Sequence, residues 1–217
     1  MARRFGERPA LTGLSVRVAE RQTLGVFGAN GAGKTTLLRV LATLLRPHAG
    51  TARIAGSALP DEAWKVRGQV GYLGHDPLLY RELTARENLR FHARLHRVHE
   101  DRVEELLEQV GLGRRAADPI RELSRGMVQR AAVARAVLHD PPLLLLDEPR
   151  AGLDPAAVEL LEPLIGRAAG RTRVLVTHDV EGGLRESDLA LGLRGGRQAL
   201  HGAAADIDPD ELRSLYR

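Results

Sequence analysis

An α/β fold around a largely parallel sheet is the prediction for this 217-residue chain, on three observations. Short apolar runs suited to buried strands alternate with stretches of helical periodicity. A glycine-rich stretch lies between one such run and a helix. A long helical segment, at about 77–138, interrupts the strand pattern.

The first clear element is Thr23-Leu24-Gly25-Val26-Phe27, an apolar run ending at a glycine, which reads as a buried strand. Residues 36–45 read as a helix closed by Pro47 and Gly50. Residues 51–75 look strand-like, with Ala52-Arg53-Ile54 and Val70-Gly71-Tyr72-Leu73 the best segments. Thr84-Ala85-Arg86-Glu87 matches a capping box, and its helix is expected to run to about 97. Val103, Leu106, Leu107 and Val110 share one helical face, and Gly111 ends that helix. A further helix starts near Ser124 and carries Ala131, Ala134, Val137 and Leu138. Leu143-Leu144-Leu145-Leu146 is an apolar strand between Pro141-Pro142 and Asp147. Residues 156–168 read as helix, and Arg173-Val174-Leu175-Val176-Thr177 as strand.

Composition narrows the class. The chain is 43% hydrophobic and 28% charged, as a globular protein is. With no cysteine, a disulfide scaffold, a thiolate metal site and a cysteine nucleophile are excluded. No apolar run approaches the roughly 18 residues of a membrane span. Met1-Ala2-Arg3-Arg4-Phe5-Gly6 lacks the apolar region of a signal peptide. The expectation is a soluble, cytoplasmic chain that can dock on a membrane protein. The pI near 10.1 suggests nucleic acid, yet 32 basic residues face 28 acidic ones, for a net charge of +4. The pI mostly reflects 30 arginines against two lysines, and the charges are interspersed. With only Lys34 and Lys65 present, a lysine inside a motif stands out.

Lys34 lies in such a motif. Gly28-Ala29-Asn30-Gly31-Ala32-Gly33-Lys34-Thr35 fits G-x-x-x-x-G-K-[ST] at every fixed position. Glycines let backbone N–H groups converge on phosphate oxygens, and the following helix aims its positive end at the anion. Lys34 would reach the β- and γ-phosphates, and Thr35 would ligate Mg²⁺. Downstream, Asp147 and Glu148 end a buried strand, where ligands of α/β sheets bind. Asp147 would hold Mg²⁺ through water, and Glu148 would act as general base toward the attacking water.

A family resemblance rests on the next motifs. Leu123-Ser124-Arg125-Gly126-Met127-Val128-Gln129-Arg130 resembles the L-S-G-G-Q signature of ABC ATPases, 23 residues before Asp147. Ala151-Gly152-Leu153-Asp154 resembles that family's D-loop, and Thr177-His178-Asp179 its switch histidine. The resemblance covers essentially the whole chain. It implies a single ABC ATPase domain over residues 1–217, of the P-loop NTPase (RecA-like) fold. The mostly parallel sheet would carry a small antiparallel β subdomain and an inserted α-helical subdomain. It also implies ATP and Mg²⁺ as cofactors. Nucleotide contacts would come from Phe5, Gly28, Asn30, Gly31, Ala32, Gly33, Lys34, Thr35, Thr36, Ser124, Gly126 and Asp154. His178 would contact the γ-phosphate and position Glu148 and the water. The catalytic set is then Glu148, His178 and Lys34, and the metal set Thr35, Asp147 and His75. The implied partner is a second copy of this chain: Ser124 and Gly126 of one subunit close over the nucleotide of the other.

This chain departs from the family pattern at several positions. Arg125 and Met127 stand where glycine and glutamine are common, and Arg150 where many relatives have threonine. His75 aligns with the family's glutamine, although imidazole suits Mg²⁺ poorly; it acts through water, or Asp76 takes over. Only four residues precede Phe5, so either an edge strand is missing or the start is late.

A lone ATPase unit implies a subunit sitting under integral membrane permease subunits, at the cytoplasmic face of the cell membrane. Residues of about 77–115 would carry the docking groove. Gly71-Tyr72-Leu73-Gly74-His75 and the stretch from Leu83 to Phe91 look most like the ATPase of the cytochrome c maturation haem exporter. Generic ABC-2-type exporters of drugs, lipids or polysaccharides are the alternative. Only 39 residues follow His178, which argues against the regulatory domain of sugar importers. Nucleic acid is not an expected partner: only 90 residues separate Lys34 from Ser124, too few for a long coiled coil, and no cysteine is present for a zinc module.

Overall fold

The computed structural model describes residues 1–216. Strands β1 (Arg3–Phe5) and β2 (Arg8–Leu11) pair antiparallel, with Arg4 opposite Pro9 and Phe5 opposite Arg8. A strand therefore reaches Phe5. β3 (Thr23–Phe27) follows, with all five residues buried.

Helix α1 (Lys34–Leu41) begins directly on the glycine-rich stretch and ends four residues before the expected position 45. Its last turn unwinds at Thr43, which has φ +61°, and Leu44 and Leu45 both donate to the Arg39 carbonyl. Strands β4 (Ala52–Ile54) and β5 (Ser57–Leu59) form a hairpin. Ala55 and Gly56 at its tip both have positive φ, as tight hairpin turns require. A short helix, α2 (Ala63–Val66), precedes β6 (Val70–Leu73). The strand-like expectation for 51–75 thus resolves into three strands and a helix.

Three helices follow: α3 (Ala85–His96), α4 (Asp101–Gln109) and α5 (Arg125–Val137). The α3 capping box forms in both directions. Glu87 N–H donates to Thr84 Oγ1 at 3.1 Å, and Thr84 N–H to Glu87 Oε2 at 2.8 Å. Buried Asn88 ties the preceding loop to α3, accepting from Tyr80 N–H and donating to the carbonyls of Tyr80 and Thr84. Leu89, Val103, Leu106, Leu107, Val133 and Val137 bury together where the three helices meet.

The rest of the chain completes the main sheet. β7 (Leu143–Asp147) leads to α6 (Pro155–Ile165), then β8 (Thr172–Val176) and α7 (Val180–Glu186). α6 stops short of the expected 168 because Gly166 turns extended, with ψ 179°. β9 (Leu189–Arg194), β10 (Arg197–Ala203) and α8 (Pro209–Ser214) close the chain.

The six-stranded sheet runs β10-β9-β3-β8-β7-β6, parallel except at the β10–β9 pair. Val26, Val176 and Asp147 are register partners on adjacent strands β3, β8 and β7. The segments that follow these strands therefore emerge side by side at one carboxyl edge.

Candidate functional site

The loop after β3 adopts a path closed to side chains at two points. Gly28 has φ +139°, and a Cβ there would lie 2.3 Å from the Leu193 carbonyl oxygen. Gly33 has φ +107°, and its Cβ would lie 2.6 Å from the Ala10 carbonyl oxygen. Ala32 is buried, whereas Asn30 and Gly31 face solvent. Gly33 caps α1, so the N–H groups of Gly33, Lys34, Thr35 and Thr36 have no acceptor within the helix. Together they form a concave donor surface at the positive end of α1.

Lys34 is 7% exposed and curls back over this loop. Its Nζ donates to the carbonyls of Gly28 (2.6 Å) and Ala29 (3.0 Å). Burial lowers its pKa, opposed by the charges of Glu148 and Asp147. Thr35 Oγ1 donates to Asp147 Oδ2 at 2.8 Å, which locks α1 to the end of β7. These two side chains present hard oxygen donors, the type Mg²⁺ takes.

Glu148 is the strained member of the group. Its φ is +50°, a left-handed conformation costing a non-glycine residue about 1–3 kcal/mol. Its N–H donates to the Val176 carbonyl at 3.0 Å. The carboxylate Oε1 is buried and has no hydrogen-bond partner among the described residues. Burial, and then the charge of Asp147, push the Glu148 pKa up to about 7, against the pull of Lys34. His178 Nε2 stands 3.5 Å from that oxygen. Its imidazole is half exposed, and burial followed by the Lys34 charge lowers its pKa. The Tyr216 ring packs edge-on against His178, with centroids 5.9 Å apart. Sequence reasoning missed Tyr216, since only the fold brings α8 to this edge.

The other sequence-chosen residues sit on other elements and loops. Ser124 is exposed and N-caps α5, accepting from the Met127 N–H at 3.3 Å. Gly126 lies against the neighbouring loop, where a Cβ would sit 3.3 Å from the Gly152 carbonyl oxygen. Arg125 packs over Gly152, and Met127 turns into the helical core. Asp154 is exposed and N-caps α6 through Ala157. Phe5 is 48% exposed beneath the Arg3 guanidinium. His75 is exposed, while its neighbour Asp76 pairs with Arg39 at 3.7 Å. Gln129 was not singled out from sequence, yet its side-chain amide donates to the Pro149 carbonyl at 3.1 Å.

A glycine cradle feeding a helix, a buried lysine, and a threonine–aspartate bond to the end of a parallel strand two places away define a P-loop NTPase fold. Comparison with known proteins narrows the class. The ABC transporter family profile matches residues 11–151, and the chain belongs to that family.

It is 42% identical over 180 residues to a daunorubicin resistance ATP-binding protein of Streptomyces coeruleorubidus, covering 81% of this chain and 57% of that protein. It is 35% identical over 218 residues to a Nod factor export ATP-binding protein of Ralstonia nicotianae, covering 98% and 68%. The chain thus spans from little more than half to about two-thirds of these relatives' lengths. Among solved structures it resembles the ATP-binding subunit of an ABC transporter, with TM-score 0.88, 30% identity, and coverage of 100% of this chain and 97% of that one. It also resembles a dimeric ATP-binding cassette in a post-hydrolysis state bound to ADP and Pi, with TM-score 0.84, 28% identity, and coverage of 94% and 95%.

Proposed function

We propose that this chain is the ATP-binding and ATP-hydrolysing subunit of an ABC exporter, peripheral at the cytoplasmic face of the membrane. The observation that carries the reading is the buried, unpartnered Glu148 Oε1 beside His178, at the same sheet edge as Lys34.

In this reading the cradle N–H groups and Lys34 bind the triphosphate. Thr35 and Asp147 would hold Mg²⁺, which would supply charge neutralisation to the phosphate oxygens. Glu148 accepts a proton from the attacking water, and a pKa near 7 suits that task. His178 donates toward the γ-phosphate and keeps the Glu148 carboxylate in place. Phe5 offers a face for adenine. The exposed Ser124 and Asp154 and the half-buried Gly126 meet the nucleotide of a second copy of this chain, and the dimeric structural relatives support that assembly.

A groove of about 250 Å³, lined by Arg39, Leu44, Leu45, Tyr72, Asp76 and Leu78, is the proposed seat of a permease segment; of its lining only Leu78 falls within the expected 77–115. Exposed Tyr80, Phe91 and Leu95 extend an apolar surface along the helical subdomain, proposed at about 77–138. The relatives' printed roles, in drug resistance and Nod factor export, favour a generic exporter of drugs, lipids or polysaccharides over the haem exporter.

The test is the mass of the Glu148→Gln protein, measured by size exclusion with light scattering, with and without Mg-ATP. A monomer that becomes a dimer only with ATP is the expected result. A monomer under both conditions, with ATP shown to be bound, removes the trans role of Ser124 and Gly126.

A further inference from the structure

Arg150 stands two residues after Glu148, at one of the positions where this chain departs from the family pattern. The structure places it in a four-member charge network. Its guanidinium bonds to Glu186 at the end of α7 and to Glu162 Oε2 on α6, the latter at 3.0 Å. Glu186 Oε2 lies 3.3 Å from Nη1 of Arg173, which is 1% exposed and fixed by Thr23 Oγ1 and the Ile165 carbonyl. Two arginines thus face two glutamates, and the network is anchored in the core through β8.

Its position gives it a job. Glu148 holds a left-handed backbone, a conformation that persists only where the surroundings over-determine it. On one side the Glu148 N–H is tied to the Val176 carbonyl. On the other, the turn is held at Pro149 by Gln129 and at Arg150 by the two glutamates. The Ala151 N–H donates back to the Glu148 carbonyl at 3.0 Å, which closes the turn. α7 begins just after His178 and ends at Glu186. Arg150–Glu186 therefore ties the turn after Glu148 to the far end of the helix that follows His178.

We propose that Arg150 is a positioning residue: by bridging Glu162 and Glu186 it holds the Glu148 turn and α7 at the spacing that sets the Glu148 carboxylate against His178. This rests on the reading of Glu148 as general base. Arg150 touches no reacting atom, and its effect is on turnover rather than on nucleotide binding. Lysine replaces it only in part, because one ammonium does not span two carboxylates as a planar fork does.

The test is steady-state ATPase on the full chain as wild type, Arg150→Ala, Arg150→Lys and Glu162→Gln, well below each melting temperature. Arg150→Ala is expected to lower kcat roughly tenfold with KM within about twofold, since small misplacement of a reacting group is costly. Arg150→Lys and Glu162→Gln are expected to fall between it and wild type. The fall in kcat at a nearly unchanged KM, partly restored in Arg150→Lys, is a readout that lost stability alone leaves in place. If Arg150→Ala does not fold, the two milder variants carry the test. A folded variant series with wild-type kcat overturns the role of Arg150 while leaving Glu148 as base. A wild type that binds Mg-ATP and never turns it over overturns the base assignment, and Arg150's role with it.

Discussion

Glu148 Oε1 and His178 Nε2 face each other across 3.5 Å at adjacent strand ends, and their pKa values shift so that both tend toward neutrality. Burial and Asp147 raise Glu148 to about 7, and burial and Lys34 lower His178 below its ordinary 6.5. At pH 7 Glu148 is about half protonated, and His178 is mostly neutral. For a general base this predicts that kcat/KM rises with pH through about 7, as the Glu148 carboxyl loses its proton. A pH profile of wild-type ATPase checks it. A flat profile between pH 6 and 8 would take the proton-accepting role away from Glu148.

The same shift has a stability consequence. Between 4.5 and about 7 the folded protein holds a proton on Glu148 that the unfolded chain has released. The folded state binds more protons, so this group's contribution falls as pH rises through that window. Glu148→Gln removes the penalty. Its melting temperature should exceed that of wild type at pH 8, and the gain should vanish near pH 4. Equal melting temperatures at pH 8 would show that the carboxylate finds solvation the folded structure does not reveal.

His178→Ala should lower turnover by roughly 100-fold and leave nucleotide affinity within a few-fold, because a positioned proton-handling group acts on the chemical step. Single-turnover hydrolysis beside an equilibrium titration separates the two. The Tyr216 ring against His178 adds a graded control. Tyr216→Ala frees one face of the imidazole and should have a smaller effect of the same kind.

How much of this was legible follows from burial. β3 and β7 sit inside the sheet with nearly every residue buried, so they read as unbroken apolar runs. The cradle was legible because Gly28 and Gly33 are demanded by the backbone itself. β10 and α7 were not. β10 is an edge strand, mostly exposed and rich in polar residues, so it carries no apolar run. α7 is short and holds two glycines, which hides its periodicity. Arg150 was opaque for another reason: its partners lie 12 and 36 residues away, on helices that only the fold brings together.

Lys34→Ala should weaken ATP binding by on the order of 100-fold or more, since the lysine is the charge that replaces water around the outer phosphates. Its two bonds to the Gly28 and Ala29 carbonyls also tie the ammonium to the loop. The variant should therefore also lose part of the loop's order, seen as faster amide exchange in residues 28–33. Unchanged ATP affinity would contradict the cradle.

Two glycines of the same loop should respond differently to alanine. At Gly31, φ is +80°, but nothing lies within 4 Å of a Cβ. Gly31→Ala therefore meets only the left-handed backbone penalty, about 1 kcal/mol, or roughly 2–4 °C in melting temperature for a chain of this size. At Gly28 the same methyl lies 2.3 Å from the Leu193 carbonyl oxygen, on a strand that cannot yield without breaking the β3–β9 pairing. Gly28→Ala should cost upward of about 3 kcal/mol and roughly 10 °C, the range of core overpacking combined with backbone strain. It should also widen the cradle and weaken ATP binding, whereas Gly31→Ala should bind with modest loss. Thermal melts with and without ATP separate the cases. ATP should raise the melting temperature of Gly31→Ala nearly as much as that of wild type, and that of Gly28→Ala little. Equal shifts in both would mean that the loop moves away from Leu193 more easily than its packing allows.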